Sequence, residues 1–422
     1  MKYHIITYGC QMNESDSERI AAVLENTNYQ AISDINKADL VVVNMCSIRQ
    51  SAVDRVYGLL PKFKKLKNKN PKFITILTGC ILKKDKKKFI SGFDLVLNAK
   101  DLPKWPQKLQ LQTNKTIKPN SHYLKISPKY QTNFQALIPI SRGCNNFCAY
   151  CVVPFTRGPL VCRDHKEILK ETKEAVQKGS KEIWLLGQNV NDYHSPTNVK
   201  VNFSKLLKQI DEIKGDFWIR FTSPHPKDFS NELIKTMDEC RKVTEYLNLP
   251  VQSGDNEILK RMNRPYTVEE YKNLVKKIRE KIPEITLSTD VIVGFPGETK
   301  KQFQNTAKLF REIKFDMAYI AKYSPRTSTR ASEMEDDVPR QEKQRRWKTL
   351  TEILKETALE HNKTYVGKKV KVLVEKKKKE FLAGKTKTYK TIKFEGPKKL
   401  IGQFQKVKIT KAITWGLKGK LI

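Results

Sequence analysis

The sequence predicts an α/β protein of three domains: an N-terminal parallel-sheet domain, a central partial (β/α)6 barrel and a small C-terminal β-barrel. In the first domain, three apolar runs of strand length alternate with helical stretches, as in a parallel sheet covered by helices. A longer alternation of the same kind follows a proline-containing segment. Beyond it, short β-branched runs alternate with glycines, which is typical of a small barrel. The chain of 422 residues is long enough for these domains, which we place at 1–115, 130–362 and 364–422.

Each predicted strand of the first domain leads to a cysteine. In parallel sheets, ligands gather at the carboxyl ends of the strands, so we expect the three thiols to converge on one edge of the sheet. The alternative is three separate buried cysteines, each a small apolar residue. The strands at 3–8, 40–43 and 73–77 lead to Cys10, Cys46 and Cys80, with helical stretches at 15–25 and 51–67.

Residues 101–133 are predicted to be a linker, because they contain four prolines, many polar residues and little periodicity. The segment that follows alternates strands with helices and can curve into a partial barrel, whose site would lie at the carboxyl ends of its strands. The predicted strands are 134–140, 182–187, 218–222, 245–249, 286–293 and 317–322, and the helices are 166–178, 203–213, 231–241, 268–281, 301–314 and 340–362.

Directly after the first barrel strand, Cys144, Cys148 and Cys151 form a C-x3-C-x2-C motif. A structural zinc site needs four ligands, whereas a four-iron cluster held by three thiolates leaves one iron open for chemistry. Thiolates also suit iron–sulfur clusters. The spacing favours a cluster and leaves two alternatives open: a zinc site completed by a distant His or Cys, or three reduced cysteines in a loop.

Three loops that follow predicted barrel strands are rich in glycines and amide side chains. Glycines let the backbone approach a ligand closely, and amides can bind polar edges, so these loops indicate a bound cofactor. Arg157, Arg163 and Arg220 could meet an anionic group of a ligand, although surface arginines are the alternative. Cys162 and Cys240 lie outside both cysteine sets and are interpreted as structural. The candidate cofactor-binding residues are Gln188, Asn189, Gln252, Ser253, Gly294 and Glu298.

The chain is strongly basic, with 81 Lys and Arg against 45 Asp and Glu and a formal net charge of +36. This favours a polyanionic partner such as nucleic acid, with a lysine-rich compositional bias as the alternative. Residues 364–422 contain 18 Lys, no Arg and 3 Glu, a net charge of +15 (18 − 3). A basic barrel, with predicted strands at 370–374, 388–394 and 405–413, fits the oligonucleotide-binding class, although it could be merely solvated.

Apolar residues make up 39% of the chain, and no run approaches the roughly 18 residues of a membrane span. The first residues lack the apolar core of a secretory signal. We therefore expect a cytoplasmic protein that does not enter a membrane and whose eight cysteines are reduced.

These motifs carry a resemblance that covers essentially the whole chain. The C-x3-C-x2-C motif resembles the cluster motif of the radical S-adenosylmethionine (SAM) superfamily. The wider pattern resembles the MiaB-type tRNA methylthiotransferases, and Gln11-Met12 with Asn145-Asn146 are similar to the members that act on isopentenyladenosine. The matching segments are 7–13, 16–18, 141–148, 151–158, 186–191, 249–254 and 290–298.

The resemblance implies two 4Fe-4S clusters. The radical SAM cluster, whose open iron binds SAM, would be held by Cys144, Cys148 and Cys151. The auxiliary cluster, whose open iron carries the sulfur to be donated, would be held by Cys10, Cys46 and Cys80. The candidate loop residues named above would contact SAM, and the C-terminal barrel would be a TRAM domain that binds RNA.

The implied reaction is methylthiolation of carbon 2 of N6-isopentenyladenosine at position 37 in the tRNA anticodon loop. We expect a monomer that receives electrons from a donor such as flavodoxin or ferredoxin. The nearer alternative is a methylthiotransferase that acts on threonylcarbamoyl-adenosine of tRNA or on a ribosomal-protein aspartate. An alternative of another class is a zinc-dependent RNA-binding protein without catalysis.

One position departs from the family pattern Tyr-Ser-x-Arg-x-Gly-Thr-x-Ala near the last barrel strand. Here the segment 323–331 has Ser328 where the family has glycine. The departure concerns the conformation of this loop and not the cluster motifs.

Overall fold

The computed structural model describes residues 1–48, 50–109 and 122–422, and the chain forms two compact units. The first unit comprises Met1–Thr132, Leu137–Asn145 and Cys151–Arg163, and the second comprises Asn133–Ala136, Asn146–Tyr150 and Asp164–Ile422. The central strands from residue 164 onward and the C-terminal barrel therefore belong to one unit.

The first unit is built on a five-stranded parallel sheet with the strand order β2-β1-β3-β4-β5. Every residue of β3 is buried, which explains its continuous Val-rich sequence, because a central parallel strand is covered on both faces. The strands are β1 Lys2–Thr7, β2 Gln30–Ala31, β3 Leu40–Cys46, β4 Ile74–Cys80 and β5 Leu95–Val96; the helices are α1 Gln11–Glu25, α2 Gln50–Tyr57, α3 Leu60–Lys69, α4 Lys83–Phe89 and α5 Trp105–Lys108; and 3-10 turns span Ile35–Lys37, Ala99–Lys104 and Tyr123–Lys125.

The linker prediction is wrong for the described parts of 101–133. Trp105 and Tyr123 are fully or almost fully buried and belong to the core that contains Tyr3. The indole Nε1 of Trp105 donates to the Asn98 carbonyl at 3.1 Å. Prolines are tolerated in the first turn of a helix, so they did not prevent this segment from packing against the sheet. Residues 110–121 of the predicted linker lie outside the described residues.

The single helix predicted over 51–67 is in fact two helices, α2 and α3. Pro61 lies in the first turn of α3, where its missing N–H costs no helical hydrogen bond. Gly58 lies between the two helices and adds to the break.

The central strands confirm the predicted order of a partial barrel. Two three-stranded sheets, β6-β9-β12 and β13-β14-β15, are joined by a parallel bridge between Ile219 and Val243. The strands are β6 Gln135–Pro139, β7 Ser141–Arg142, β8 Val161–Cys162, β9 Glu182–Leu186, β10 His194–Ser195, β11 Asn198–Asn202, β12 Trp218–Phe221, β13 Tyr246–Asn248, β14 Thr286–Val293 and β15 Met317–Lys322.

The helices between these strands also follow the predicted alternation. Thr267 and Glu270 form a capping box at the start of α11, which begins and ends where it was predicted. The helices are α6 Val153–Arg157, α7 His165–Gln177, α8 Phe203–Asp211, α9 Asn231–Glu239, α10 Asn256–Arg261, α11 Val268–Lys281, α12 Lys300–Ile313 and α13 Arg340–Lys363, with 3-10 turns at Val190–Asp192, Pro226–Asp228 and Arg330–Glu333. None of the helices within the described ranges is both long and apolar enough to cross a bilayer.

The C-terminal segment is a closed five-stranded barrel with the order β16-β17-β18-β20-β19. This confirms the small β-barrel predicted for this segment. Sequence reasoning missed β17 and β20, which contain glycines that weaken a strand signal. At Gly384, however, a Cβ would lie 2.2 Å from the Leu373 carbonyl oxygen of the neighbouring strand. The strands are β16 Lys369–Lys378, β17 Phe381–Thr386, β18 Thr391–Glu395, β19 Phe404–Ile413 and β20 Gly416–Leu421, with a 3-10 turn at Lys398–Leu400.

Arg220 of β12 attaches the barrel to the central strands. Its guanidinium donates to Glu182 Oε1 at 2.5 Å and to the carbonyls of Thr386 and Lys387 at 2.7 and 3.0 Å. The Arg220 side chain is fully buried, and its guanidinium carbon lies 4.9 Å from the centre of the Tyr389 ring. Arg220 therefore acts inside the fold and does not present its charge to a ligand.

Ser328 adopts a φ of +77°, in the region that favours glycine. Left-handed backbone costs an ordinary residue about 1–2 kcal/mol, whereas glycine loses about 0.5–1 kcal/mol more conformational entropy on folding. We therefore expect Ser328→Gly to raise the free energy of unfolding by about 0.5 kcal/mol, measured by urea denaturation. Ser328→Ala, which keeps the strain, should give no gain, and equal values for the two variants would contradict this explanation.

Candidate functional site

In the first unit, the strand ends place the first cysteine trio, Cys10, Cys46 and Cys80. Cys46 and Cys80 are the last residues of the adjacent parallel strands β3 and β4 and are partners in register. Cys10 follows β1 and is the N-cap residue of α1. Gly79 permits the close approach, because it has a φ of +109° and a Cβ there would lie 2.2 Å from the Met45 carbonyl oxygen.

Asn13 bridges two members of this trio. Its Oδ1 lies 3.6 Å from the Cys10 sulfur and 3.8 Å from the Cys80 sulfur. Its Nδ2 donates to Asn44 Oδ1 and to the Met45 carbonyl, both at 3.0 Å, which fixes the orientation of the amide. Sequence reasoning did not single out Asn13 as a site residue, although it lies in the motif 7–13.

Arg157 also reaches this trio. Its Nε donates to the Cys80 sulfur at 2.9 Å, and its Nη2 donates to Asn13 Oδ1 at 3.1 Å and to Asp16 Oδ2 at 2.9 Å. The sequence suggested an anionic ligand for this arginine, and the structure places it against a cysteine that the resemblance assigns to a cluster.

The thiols of Cys46 and Cys80 share a hydrogen bond. This bond, together with burial, raises the pKa of Cys80 well above its usual range, while accepting it lowers the pKa of Cys46. The Arg157 guanidinium opposes the rise in the pKa of Cys80. The neighbouring Cys80 and Asp16 raise the pKa of Arg157 against the effect of its burial, so its positive charge is firmly held.

Across residues 1–48, 50–109 and 122–422, no group of three or more His, Cys, Asp or Glu side chains is arranged to hold a metal ion. In a four-iron cluster, each thiolate binds a different iron. The donor set of the first trio, three thiols beside one buried cation, fits such an anionic cluster.

The second trio consists of Cys144, Cys148 and Cys151. Its loop begins with a tight turn at Gly143, which lies in the first unit. Gly143 has a φ of +77°, and a Cβ there would lie 2.0 Å from the Pro159 carbonyl oxygen. The backbone N–H of Cys144 donates to the Gly158 carbonyl at 3.2 Å. The two short strands β7 and β8 pair at the base of this loop. Cys151 is half-buried and lies just before α6.

Cys148 belongs to the second unit, where it is buried beside Arg264. Arg264 donates from Nη1 to the Cys148 sulfur at 3.6 Å, from Nη2 to the Pro250 carbonyl at 3.0 Å and from Nε to the Tyr266 hydroxyl at 2.8 Å. Sequence reasoning missed Arg264, because its contact with Cys148 spans 116 positions.

The candidate cofactor-binding residues of the second unit occupy loops after three strands, and several are held by internal bonds. Asn189 donates to Asp228 Oδ2 at 2.7 Å, and its buried Oδ1 has no hydrogen-bond partner among the described residues. Gln188 is half-buried, and Gln252 has a φ of +70° with its N–H donating to Asp290.

The remaining candidates form hydrogen bonds with other residues of the second unit. Ser253 is fully buried, and its hydroxyl accepts from the Asp255 N–H at 3.3 Å. Glu298 accepts from the Gly294 N–H at 2.6 Å and from Arg346 Nη1 at 2.5 Å. The assignment of these six residues to SAM stays a prediction.

His225, near Arg264 and Tyr266, is buried in its neutral form. Burial, with the charges of Arg264 and Lys227, lowers its pKa to about 2. The unfolded chain then binds one more proton below pH 6.5, so stability is present above that pH and falls with acidification. Between pH 7 and pH 5 we expect a loss of about 2 kcal/mol from this group, at 1.36 kcal/mol per pH unit. Urea denaturation of His225→Gln should show a shallower pH slope, and an unchanged slope would contradict the assignment.

Comparisons with known families cover most of the chain. Residues 138–310 match the Radical SAM superfamily, residues 2–97 match the uncharacterized protein family UPF0004, and residues 363–422 match the TRAM domain. Among solved structures, the radical S-adenosylmethionine methyltransferase TsrM from Kitasatospora setae, with cobalamin and a 4Fe-4S cluster bound, shares the fold. Its TM-score is 0.56 at 13% identity, over 78% of this chain and 77% of that chain.

Curated relatives extend over the full length of both chains. A tRNA-2-methylthio-N(6)-dimethylallyladenosine synthase from Clostridium novyi is 41% identical over 100% of this chain and 96% of its own length. The protein of that name from Carboxydothermus hydrogenoformans is 40% identical over 100% of this chain and 99% of its own. The chain therefore belongs to the family of tRNA-2-methylthio-N(6)-dimethylallyladenosine synthases within the radical SAM enzymes.

Proposed function

We propose that this protein is a radical SAM methylthiotransferase that modifies carbon 2 of N6-isopentenyladenosine at position 37 of tRNA. The observation that carries the proposal is the first trio, a set of cysteines in addition to the Cys144 loop. A radical SAM enzyme needs only the Cys144 loop, whereas Cys10, Cys46 and Cys80 provide a further thiol site at the sheet edge. The full-length similarity to the named synthases supports the same substrate.

In this proposal, residues 130–362 form the radical SAM domain, and Cys144, Cys148 and Cys151 hold one 4Fe-4S cluster. Residues 1–115 form the methylthiotransferase domain, in which the first trio holds the auxiliary cluster. When bound, the two clusters and SAM supply the radical and the sulfur of the reaction. Gln188, Asn189, Gln252, Ser253, Gly294 and Glu298 would contact SAM.

The protein itself supplies position and charge. Arg264 beside Cys148 and Arg157 beside Cys80 each bring a buried cation to a ligand sulfur, which offsets the negative charge of the thiolates. The unpaired Oδ1 of Asn189 is an acceptor available to a polar hydrogen of a cofactor.

The basic barrel at residues 364–422 would hold the tRNA through its phosphates, with an affinity that falls as salt rises. The target adenosine would be presented unstacked in the anticodon loop, as RNA-reading proteins commonly require. We further propose that the protein works in the cytoplasm as a monomer and takes electrons from a reducing donor such as flavodoxin or ferredoxin.

The proposal is tested by the iron content of anaerobically reconstituted protein. We expect eight irons per chain, and four in a variant with Cys144, Cys148 and Cys151 replaced by alanine, because each cubane holds four. Replacement of both Cys162 and Cys240, which lie outside the trios, should leave eight. Only four irons in the unmodified protein, or bound zinc instead, would overturn the proposal.

A further inference from the structure

Arg157 connects the two cysteine motifs along the chain. It is the last residue of α6, the short helix that follows Cys151, yet its guanidinium lies in the site of Cys80. The contact joins residues 77 positions apart within the first unit. The function proposed above gives Arg157 no role beyond its charge.

The Arg157 side chain is buried and makes polar contacts with defined partners. Its side chain is 9% exposed, and that of its ion-pair partner Asp16 is 1% exposed. Besides this pair at 2.9 Å, the guanidinium donates Nε–H directly to the Cys80 sulfur at 2.9 Å. Within the described part of the chain, Asp16 Oδ1 is buried and has no hydrogen-bond partner, so one acceptor of this carboxylate stays open.

The backbone at Arg157 is held by the turn that opens the Cys144 loop. Arg142 Nη1 donates to the Arg157 carbonyl at 2.8 Å, and the next carbonyl, that of Gly158, accepts from the Cys144 N–H at 3.2 Å. The turn at Gly143 therefore also holds the backbone from which the Arg157 side chain reaches Cys80.

A cation and an N–H donor at a ligand sulfur change the energetics of a cluster. Reduction by one electron adds negative charge, and a buried cation attracts this charge more strongly than the same cation would at a solvent-exposed position. Hydrogen bonds to the sulfurs likewise set cluster potentials. Loss of the Arg157 donor should therefore make the cluster harder to reduce, and loss of the Asp16 charge should make it easier.

We propose that Arg157 is a positioning residue that holds Cys80 and raises the reduction potential of the cluster bound by Cys10, Cys46 and Cys80. This inference rests on the proposed function, since it requires a cluster at that trio. It adds a residue outside the ligand set whose effect is on a potential and not on cluster binding alone.

The test uses the full-length chain with Cys144, Cys148 and Cys151 replaced by alanine, which leaves one cluster. An anaerobic dithionite titration followed by electron paramagnetic resonance reports the midpoint potential. In this background, Arg157→Gln is expected to lower the one-electron reduction equilibrium constant about tenfold, which is about 59 mV. Arg157→Lys keeps the positive charge but lacks the planar guanidinium with its several N–H donors, so it should give a smaller shift of the midpoint potential. Asp16→Asn should shift the potential in the opposite direction.

Arg163→Gln is the matched control. Arg163 is a buried arginine of the same unit that donates to the Pro139 carbonyl, and its loss should leave the potential unchanged. An unchanged potential in Arg157→Gln, or shifts of the same sign in Arg157→Gln and Asp16→Asn, would overturn the inference. If Arg157→Gln fails to load iron, the midpoint potential of Arg157→Lys is measured instead. An unchanged potential in Arg157→Lys would then overturn the inference. If the background chain itself binds no iron, the proposed function fails with the inference, whereas four irons with an unshifted potential overturn the inference alone.

Discussion

Replacing Cys10, Cys46 and Cys80 together by alanine is expected to abolish methylthio transfer but not SAM cleavage. The Cys144 loop, which would bind and cleave SAM, is left intact, whereas the site that would hold the sulfur is removed. We expect 5′-deoxyadenosine to be formed and methylthiolated tRNA to fall by at least about 10³-fold, because residues that act as one unit are lost together. Both products are measured in one anaerobic reaction by liquid chromatography and mass spectrometry.

The control for this variant is the double replacement of Cys162 and Cys240 by alanine. Neither residue belongs to a trio, and burial raises the pKa of Cys240 to about 11, as for a protonated structural thiol. Both products should stay near the level of the unmodified protein. Methylthiolated tRNA from the first variant at more than a tenth of that level would contradict the role of the first trio.

Arg220→Met is expected to cause a large loss of stability in the second unit. It leaves the carboxylate of Glu182, 1% exposed, without its cation and removes the donors to the Thr386 and Lys387 carbonyls. Breaking a buried ion pair by removing one partner costs about 3–5 kcal/mol. The free energy of unfolding is measured by urea denaturation followed by circular dichroism.

The matched control is Lys208→Ala, which breaks a salt bridge to Glu239 between side chains that are 46% and 44% exposed. Such exposed pairs contribute little to stability, because water screens the interaction between the two charges. A destabilisation by Arg220→Met of less than 1 kcal/mol, no larger than that of the control, would show that Arg220 does not anchor the barrel.

Local sequence signals predicted the regular elements well. The strands Thr286–Val293 and Met317–Lys322 and the helix Val268–Lys281 have the predicted bounds. Each has a clear hydrophobic pattern, and the helix has a capping box at its start. The segment 101–133 was misread because Trp105 and Tyr123 pack against a distant sheet, which no local pattern reports.

The same limit applies to the site. The cysteines follow from strand ends and motif spacing, but the arginines beside them depend on tertiary contacts. Arg157 lies 77 positions from Cys80 and Arg264 lies 116 positions from Cys148. For Arg157, its place after Cys151 in the motif 151–158 was the available signal. For Ser328, the departure from the family glycine correctly indicated an unusual backbone position.

The most direct measurement of the central claim is mass spectrometry of tRNA nucleosides from cells that lack the gene. We expect 2-methylthio-N6-isopentenyladenosine to disappear and N6-isopentenyladenosine to accumulate. The gene should restore the modification, and the variant with Cys10, Cys46 and Cys80 replaced by alanine should not. Unchanged 2-methylthio-N6-isopentenyladenosine in the deletion cells, or loss of the methylthio derivative of threonylcarbamoyl-adenosine instead, would contradict the claim.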